Sequence, residues 1–114
     1  MKRIEAIIKE DKLSSVVVAL KEVGVGGLTV TRSQGRGAGK RPQIRAARGT
    51  ATFTAEFNNT NTIITVVDDS KLDVTVSAII SAAKTGSKGD GKIFVSTIDE
   101  AYDIGSAEKG NVVI

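Results

Sequence analysis

The chain contains no cysteine, no histidine and no tryptophan. Without cysteine there is no disulfide, no thiolate nucleophile and no thiolate-ligated metal. Without histidine the commonest general base and the commonest metal ligand are both missing. No paired carboxylates mark a catalytic cleft, so an enzyme would have little to work with, and slow nucleotide hydrolysis is the one catalytic reading left; no metal site is expected. Aromatics are only 4% of the 114 residues, so a core must come from the aliphatic part of the 40% hydrophobic content. No apolar run approaches the roughly 18 residues of a membrane span, and no signal peptide precedes the first apolar stretch. The expectation is a cytoplasmic chain forming one domain over residues 1–114.

Acidic residues are absent between Thr31 and Ala55, where Arg32, Arg36, Lys40, Arg41, Arg45 and Arg48 all fall. The rest of the chain holds 10 basic against 13 acidic residues, from totals of 16 and 13. An acidic body therefore carries one basic segment, which suits contact with a phosphate, an acidic protein surface or a nucleic acid. The alternative is a solvated loop with no partner.

Lys2 to Lys9 reads as a strand, with Ile4, Ala6 and Ile8 on one face at period two. Asp11 is placed to cap a helix to about Val23, with Leu13, Val16, Val17, Leu20 and Val23 as its apolar stripe. Gly24 to Gly27 ends that helix. A second strand runs from Leu28 to about Gln34. A long Gly/Arg/Ala-rich loop then covers about residues 35–52 and holds the one proline, Pro42. Loops longer than about 12–15 residues are uncommon in compact domains and usually functional. Thr52–Phe57 alternates like a strand, Asn58–Asn61 reads as polar punctuation, and Ile63–Val67 as a β-branched strand. The sequon Asn58-Asn59-Thr60 is discounted for want of a secretion signal. Ser70 with Asp73 suggests a capped helix burying some of Val74, Val76, Ile79, Ile80 and Ala83. The order β-α-β, long loop or ribbon, β-α-β gives an α+β, ferredoxin-like split sheet with helices on one face.

Between the second helix and the last strand lies Lys84-Thr85-Gly86-Ser87-Lys88-Gly89-Asp90-Gly91-Lys92. Glycines allow positive φ and close approach, successive N–H groups can cradle an anion, and lysines add charge suited to phosphate. An ordinary Gly-rich turn reads equally well from spacing alone.

Thr85-Gly86-x-x-Gly89-Asp90-Gly91-Lys92-Ile93-Phe94-Val95 resembles the second signature of the PII nitrogen-regulatory signal-transduction family. Met1–Lys9 and Gly27–Thr31 are similar to that family's first two strands. The resemblance implies the same ferredoxin-like βαββαβ fold and a homotrimer with ligands in clefts between subunits. It also implies an adenine nucleotide, ATP or ADP, as effector, with Mg2+ and 2-oxoglutarate as further ligands. Carried over by position, Thr29 and Val66 fall near the adenine, Gly35 and Gly37 open the long loop, and Thr85, Gly89, Asp90, Gly91 and Lys92 fall on the phosphate side. The implied partners are an ammonium transporter or an enzyme such as glutamine synthetase, met by the basic loop through Arg36, Lys40, Arg41, Arg45 and Arg48.

The sequence also departs from the family pattern. Ala38 and Gly39 stand where the family has Arg-Gln, and that glutamine helps hold Mg2+ and 2-oxoglutarate. A loop lysine aligns at about Thr60. Asp103 and Gly105 stand where two arginines meet the phosphates. The uridylylated tyrosine aligns near Thr52 and a phosphorylated serine near Thr50, so no uridylylation is expected and Thr50 is read as a strand residue. The leading reading is a diverged PII-type sensor of nitrogen metabolism. The alternatives are a relative that has lost ATP and senses another small molecule, and a polyanion- or nucleic-acid-binding module using the basic loop. Phe53 is the one aromatic close to that loop, so nucleic acid is the weaker partner, bound without sequence preference and in a salt-dependent way.

Overall fold

A computed structural model describes residues 1–45 and 52–114 of the chain. Its main sheet is antiparallel, with strands β1 (Lys2–Lys9), β2 (Thr29–Gly35), β5 (Asn58–Val67) and β6 (Gly91–Thr97) in the order β2-β5-β1-β6. Helices α1 (Leu13–Glu22) and α2 (Leu72–Ala83) cover one face, and a short ribbon of β3 (Gln43–Arg45) and β4 (Thr52–Thr54) stands apart. This is the ferredoxin-like α+β arrangement expected.

Strand alternation sets the two faces. Ile4, Ala6, Ile8, Ile63 and Val67 are buried toward the helices, where Val16, Leu20, Ile79 and Ala83 meet them. Thr75 is buried among them, its hydroxyl satisfied by the Lys71 carbonyl at 2.7 Å. Residues directly opposite in the ladder share a face. Thr29, Ile64, Glu5 and Phe94 therefore form one row on the helix-free face. Phe94 is 52% exposed there, and β6 is an edge strand.

Helix α1 ends in a Schellman turn. Val25 N–H donates to the Leu20 carbonyl at 3.0 Å and Gly24 N–H to Lys21 at 3.1 Å, with Gly24 at φ +84°. Its start differs from expectation. Glu10–Lys12 is a 3-10 turn and Asp11 makes no capping hydrogen bond. The second helix also starts differently. A 3-10 turn, Asp69–Lys71, leads into it, and Asp68, not Ser70, caps that turn: its carboxylate accepts from Ser70 N–H at 3.0 Å and the Ser70 hydroxyl at 2.6 Å. Of the apolar residues expected to be buried by α2, Ile79 and Ala83 are buried, while Val74 and Ile80 are each 48% exposed.

Asn58–Asn61 is strand rather than punctuation. It pairs with β2 through Gln34–Asn59 and Ser33–Thr60, and Asn61 is buried, donating to the Glu10 carbonyl at 3.4 Å. Polar residues serve there because hydroxyls bond across the strands: Ser33 Oγ lies 2.7 Å from Thr60 Oγ1 and 2.9 Å from Thr62 Oγ1. Thr52–Thr54 instead pairs with Gln43–Arg45 in the ribbon, so the long excursion reaches Phe57 rather than ending near residue 52.

Candidate functional site

The Gly-rich loop folds around its own carboxylate. Asp90 accepts from Thr85 N–H at 2.8 Å, Gly86 N–H at 3.0 Å and the Thr85 hydroxyl at 2.5 Å, and pairs with Lys9 Nζ at 3.2 Å. The Thr85 hydroxyl, the Thr85 amide, Lys9 and the Gly86 amide together hold the Asp90 carboxyl far below the ordinary carboxylate range. Lys9 also donates to Ser87 Oγ at 3.2 Å, tying the end of β1 to the loop. The concavity that the glycine spacing suggests for an anion is thus filled by Asp90. The N–H groups of Lys88 and Gly89 have no partner among the described residues. Gly86 and Gly89 take φ +89° and +88°. Gly91, at φ +120°, passes so close to the Ile7 carbonyl that a side chain there would collide with it.

The base of the long loop rests on this turn. A Cβ on Gly39 would lie 2.9 Å from Gly89 Cα, and one on Gly89 would lie 2.7 Å from Gly39 Cα. The contact brings the backbone before Lys40 against Lys88 and Gly89, and Lys88 and Lys92 of the Gly-rich stretch are exposed. None of these three lysines is ion-paired among the described residues.

Two of the loop's arginines are already engaged. Arg36 Nη1 lies 3.1 Å and Arg41 Nη1 3.9 Å from Glu56 Oε2. The Ala55 amide donates to the Pro42 carbonyl at 2.8 Å, so the two limbs are clasped at their base. Glu56, the first acid after the basic stretch, is thus the partner of both arginines. Arg48 and Thr50 lie outside the described residues, as does the side chain of Arg45.

Thr29 and Val66 sit elsewhere. Both lie on the helix-free face toward the β2 edge, and Val66 lines a second cavity, of about 620 Å³, with Gly26, Gly27 and Lys71. Val66 pairs with Arg3 whereas Gly91 pairs with Ile8. Five residues along β1 at about 3.4 Å each separate the two rows by roughly 17 Å. Gly35 and Gly37 belong with the Gly-rich loop end, since Gly35 pairs with Asn58 and the chain then passes through Gly37 to Gly39. One chain therefore holds Val66 toward the opposite end of its sheet from the Gly-rich loop, while Thr29, in the Glu5 row, lies mid-way along it.

Beyond β6 the chain forms a self-contained hairpin. Tyr102 bridges Lys109, and Asp103 N–H donates to the Glu108 carbonyl at 2.8 Å. The Asp103 carboxylate accepts from Ser106 N–H at 2.8 Å and the Ser106 hydroxyl at 3.0 Å, which lowers its pKa. Asp103 is thus a structural cap of the hairpin turn.

A family model described as "Nitrogen regulatory protein P-II" matches residues 1–108. The chain belongs to the nitrogen regulatory protein P-II family. It is 46% identical over 110 residues, 96% of each chain, to a nitrogen regulatory protein P-II of Bradyrhizobium diazoefficiens. It is 44% identical to that of Azospirillum brasilense and 41% to that of Synechocystis sp., each over 114 residues and the full length of both chains. P-II membership supports a signal-transduction role in nitrogen regulation, that of a regulator. Among the described residues no helix is long and apolar enough to cross a membrane.

The P-II resemblance implies ligands that the residues present fit unequally. Free amides at Lys88 and Gly89, with Lys40, Lys88 and Lys92 around them, suit the phosphates of a nucleotide. The glutamine that would help hold Mg2+ and 2-oxoglutarate is replaced by Gly39, which abuts Gly89 and has no room for a side chain. That arrangement does not fit here.

Proposed function

We propose that this chain is a P-II-type sensor that reads an adenine nucleotide in clefts between copies of itself, as a homotrimer, and regulates a partner protein through its basic loop. The observation that carries the reading is the Gly39–Gly89 contact. It joins the base of the basic loop to the turn whose free amides and lysines suit phosphate, so occupancy of one end changes the footing of the other. Ligand binding then selects among loop conformations, and the loop presents them to a partner. The separation of Val66 from the Gly-rich loop supports a cleft shared between copies, with the base held by one and the phosphates by the next. By family resemblance the partner is an ammonium transporter or a nitrogen-assimilation enzyme of the glutamine synthetase kind.

Titration calorimetry with ATP, ADP and AMP, each with and without Mg2+ and 2-oxoglutarate, tests this. The expected result is micromolar nucleotide binding with little gain from 2-oxoglutarate. No heat from any nucleotide would overturn the nucleotide reading and leave a P-II fold that senses another small molecule.

A further inference from the structure

Charge and shape coincide in the ribbon of β3 and β4. Between Thr31 and Ala55 the chain carries six cations and no acid, while the rest of it holds 10 basic and 13 acidic residues. The body therefore repels a polyanion and the loop attracts one, so a polyanion approaches from the ribbon end. Arg32 and Lys40 are exposed and make no ion pair among the described residues. Arg36 and Arg41 share Glu56.

The ribbon is two-sided. Gln43 opposes Thr54 and Arg45 opposes Thr52, with the Ile44–Phe53 pair between them. Opposite positions share a face and successive ones alternate. Positions 43, 45, 52 and 54 thus form a polar face, and positions 44 and 53 an apolar one. Gln43 Nε2 donates to Thr54 Oγ1 at 2.7 Å, which leaves the amide its second N–H and its oxygen for another partner.

These features favour one polyanion over the others. Ile44 and Phe53 are the only large apolar residues between Thr31 and Ala55. A protein interface draws its energy from a cluster of buried anchors, whereas phosphate contact needs only cations. A single aromatic is a poor platform for unstacked bases, which disfavours a single strand. A duplex needs no stacking. The major groove of B-form DNA, about 12 Å wide, admits a two-stranded ribbon, and the deep, narrow groove of A-form RNA does not.

We propose that the β3–β4 ribbon enters the major groove of double-stranded DNA, its polar face toward the base edges and Arg32 and Lys40, nearer the body, on the flanking phosphates. Backbone contact dominates, so binding tolerates many sequences. This function goes beyond the sensor reading and does not depend on it. Glu56 limits it, because Arg36 and Arg41 reach phosphate only when they leave that carboxylate.

Fluorescence anisotropy of a short labelled DNA duplex of mixed sequence, without nucleotide, tests the contact. The expected Kd near physiological salt is roughly 1–100 μM. With about three phosphates neutralised, by Arg32, Lys40 and Arg45, binding should weaken roughly 40-fold between about 50 and 200 mM salt. Arg32→Gln, Lys40→Gln and Arg45→Gln should each lower the salt slope by about one, with circular dichroism unchanged. Glu56→Gln should tighten binding a few-fold, a gain that misfolding cannot produce. No duplex binding at low salt by the folded protein overturns the proposal, and so does binding insensitive to salt. A single strand, a duplex RNA of the same sequence or poly-glutamate that binds as tightly as duplex DNA also overturns it. Those results would point respectively to stacked bases, to phosphate contact outside the groove and to an acidic protein surface. Because nucleotide is absent throughout, failure of ATP to bind in calorimetry leaves this result unaffected, and the two readings fail separately.

Discussion

Gly39 and Gly89 meet backbone to backbone, and neither position has room for a methyl group: each Cβ would fall under 3.0 Å from the other residue's Cα. Gly39→Ala is expected to lift the base of the basic loop while leaving the core intact. Limited trypsin digestion should cut the variant faster at Arg36 and Lys40, with a melting temperature close to that of the parent. Gly89→Ala carries a second penalty, because φ +88° costs a non-glycine residue about 1–2 kcal/mol. It should therefore loosen the loop and also lower the melting temperature by several degrees. Protease resistance equal to the parent's in both variants would show that the contact does not hold the loop.

Asp90 holds the Gly-rich turn together through its charge. Its folded pKa lies below the ordinary value of about 3.9, chiefly because of the Thr85 hydroxyl and amide. A depressed carboxylate pKa contributes stability that is fully present above the unfolded value and is lost as pH falls through the folded one. The turn is therefore expected to stay ordered as pH drops past about 4 and to open only in stronger acid. The carboxyl carbon shift of Asp90, followed by NMR against pH, should titrate well below those of unpartnered aspartates. Asp90→Asn should free the Thr85 and Gly86 amides and raise their hydrogen-exchange rates at neutral pH. A normal titration midpoint for Asp90 would contradict the geometry.

Ile63 sits in the centre strand against the helices and is 1% exposed. Ile63→Ala should cost about 2–5 kcal/mol, as a cavity in a packed core does, measured by urea unfolding. Ile64→Ala, one residue on and facing away from the helices, should cost the isolated protomer clearly less. If the two substitutions cost the same in a monomeric state, the face assignment is wrong.

Period-two and helical spacing made the core legible: Ile4, Ala6, Ile8, Val16 and Leu20 are all buried as their spacing demands. Asn58–Asn61 reads as punctuation by its polarity, whereas cross-strand hydroxyl bonds and a carbonyl partner for Asn61 let polar residues continue the strand. Helix starts were misassigned because Asp11 and Ser70 fall in 3-10 turns, which shift the capping register. In the candidate site, glycine and lysine composition pointed to the right loop. What it could not show is that Asp90 fills the turn, or that Gly39 is a packing requirement rather than a bare loss of glutamine. Both depend on residues brought together by the β1–β6 pairing and by the return of the long loop, neither of which leaves a local pattern.

Glu56 shares one carboxylate between Arg36 and Arg41, and so lowers the positive charge that the basic loop presents. The pair is exposed, with side-chain accessibilities of 57% for Arg36 and 71% for Glu56, so its worth to folding is at most about 1 kcal/mol. Glu56→Gln should leave the melting temperature nearly unchanged. It should nevertheless strengthen binding of inorganic tripolyphosphate a few-fold at low ionic strength, because two guanidinium groups lose their internal competitor. The gain should vanish at high salt, where exposed charges are screened. Arg36→Ala in the same background should remove most of the gain. If Glu56→Gln changes stability strongly and tripolyphosphate binding not at all, Glu56 acts as a clasp for the two limbs and not as a counter-anion.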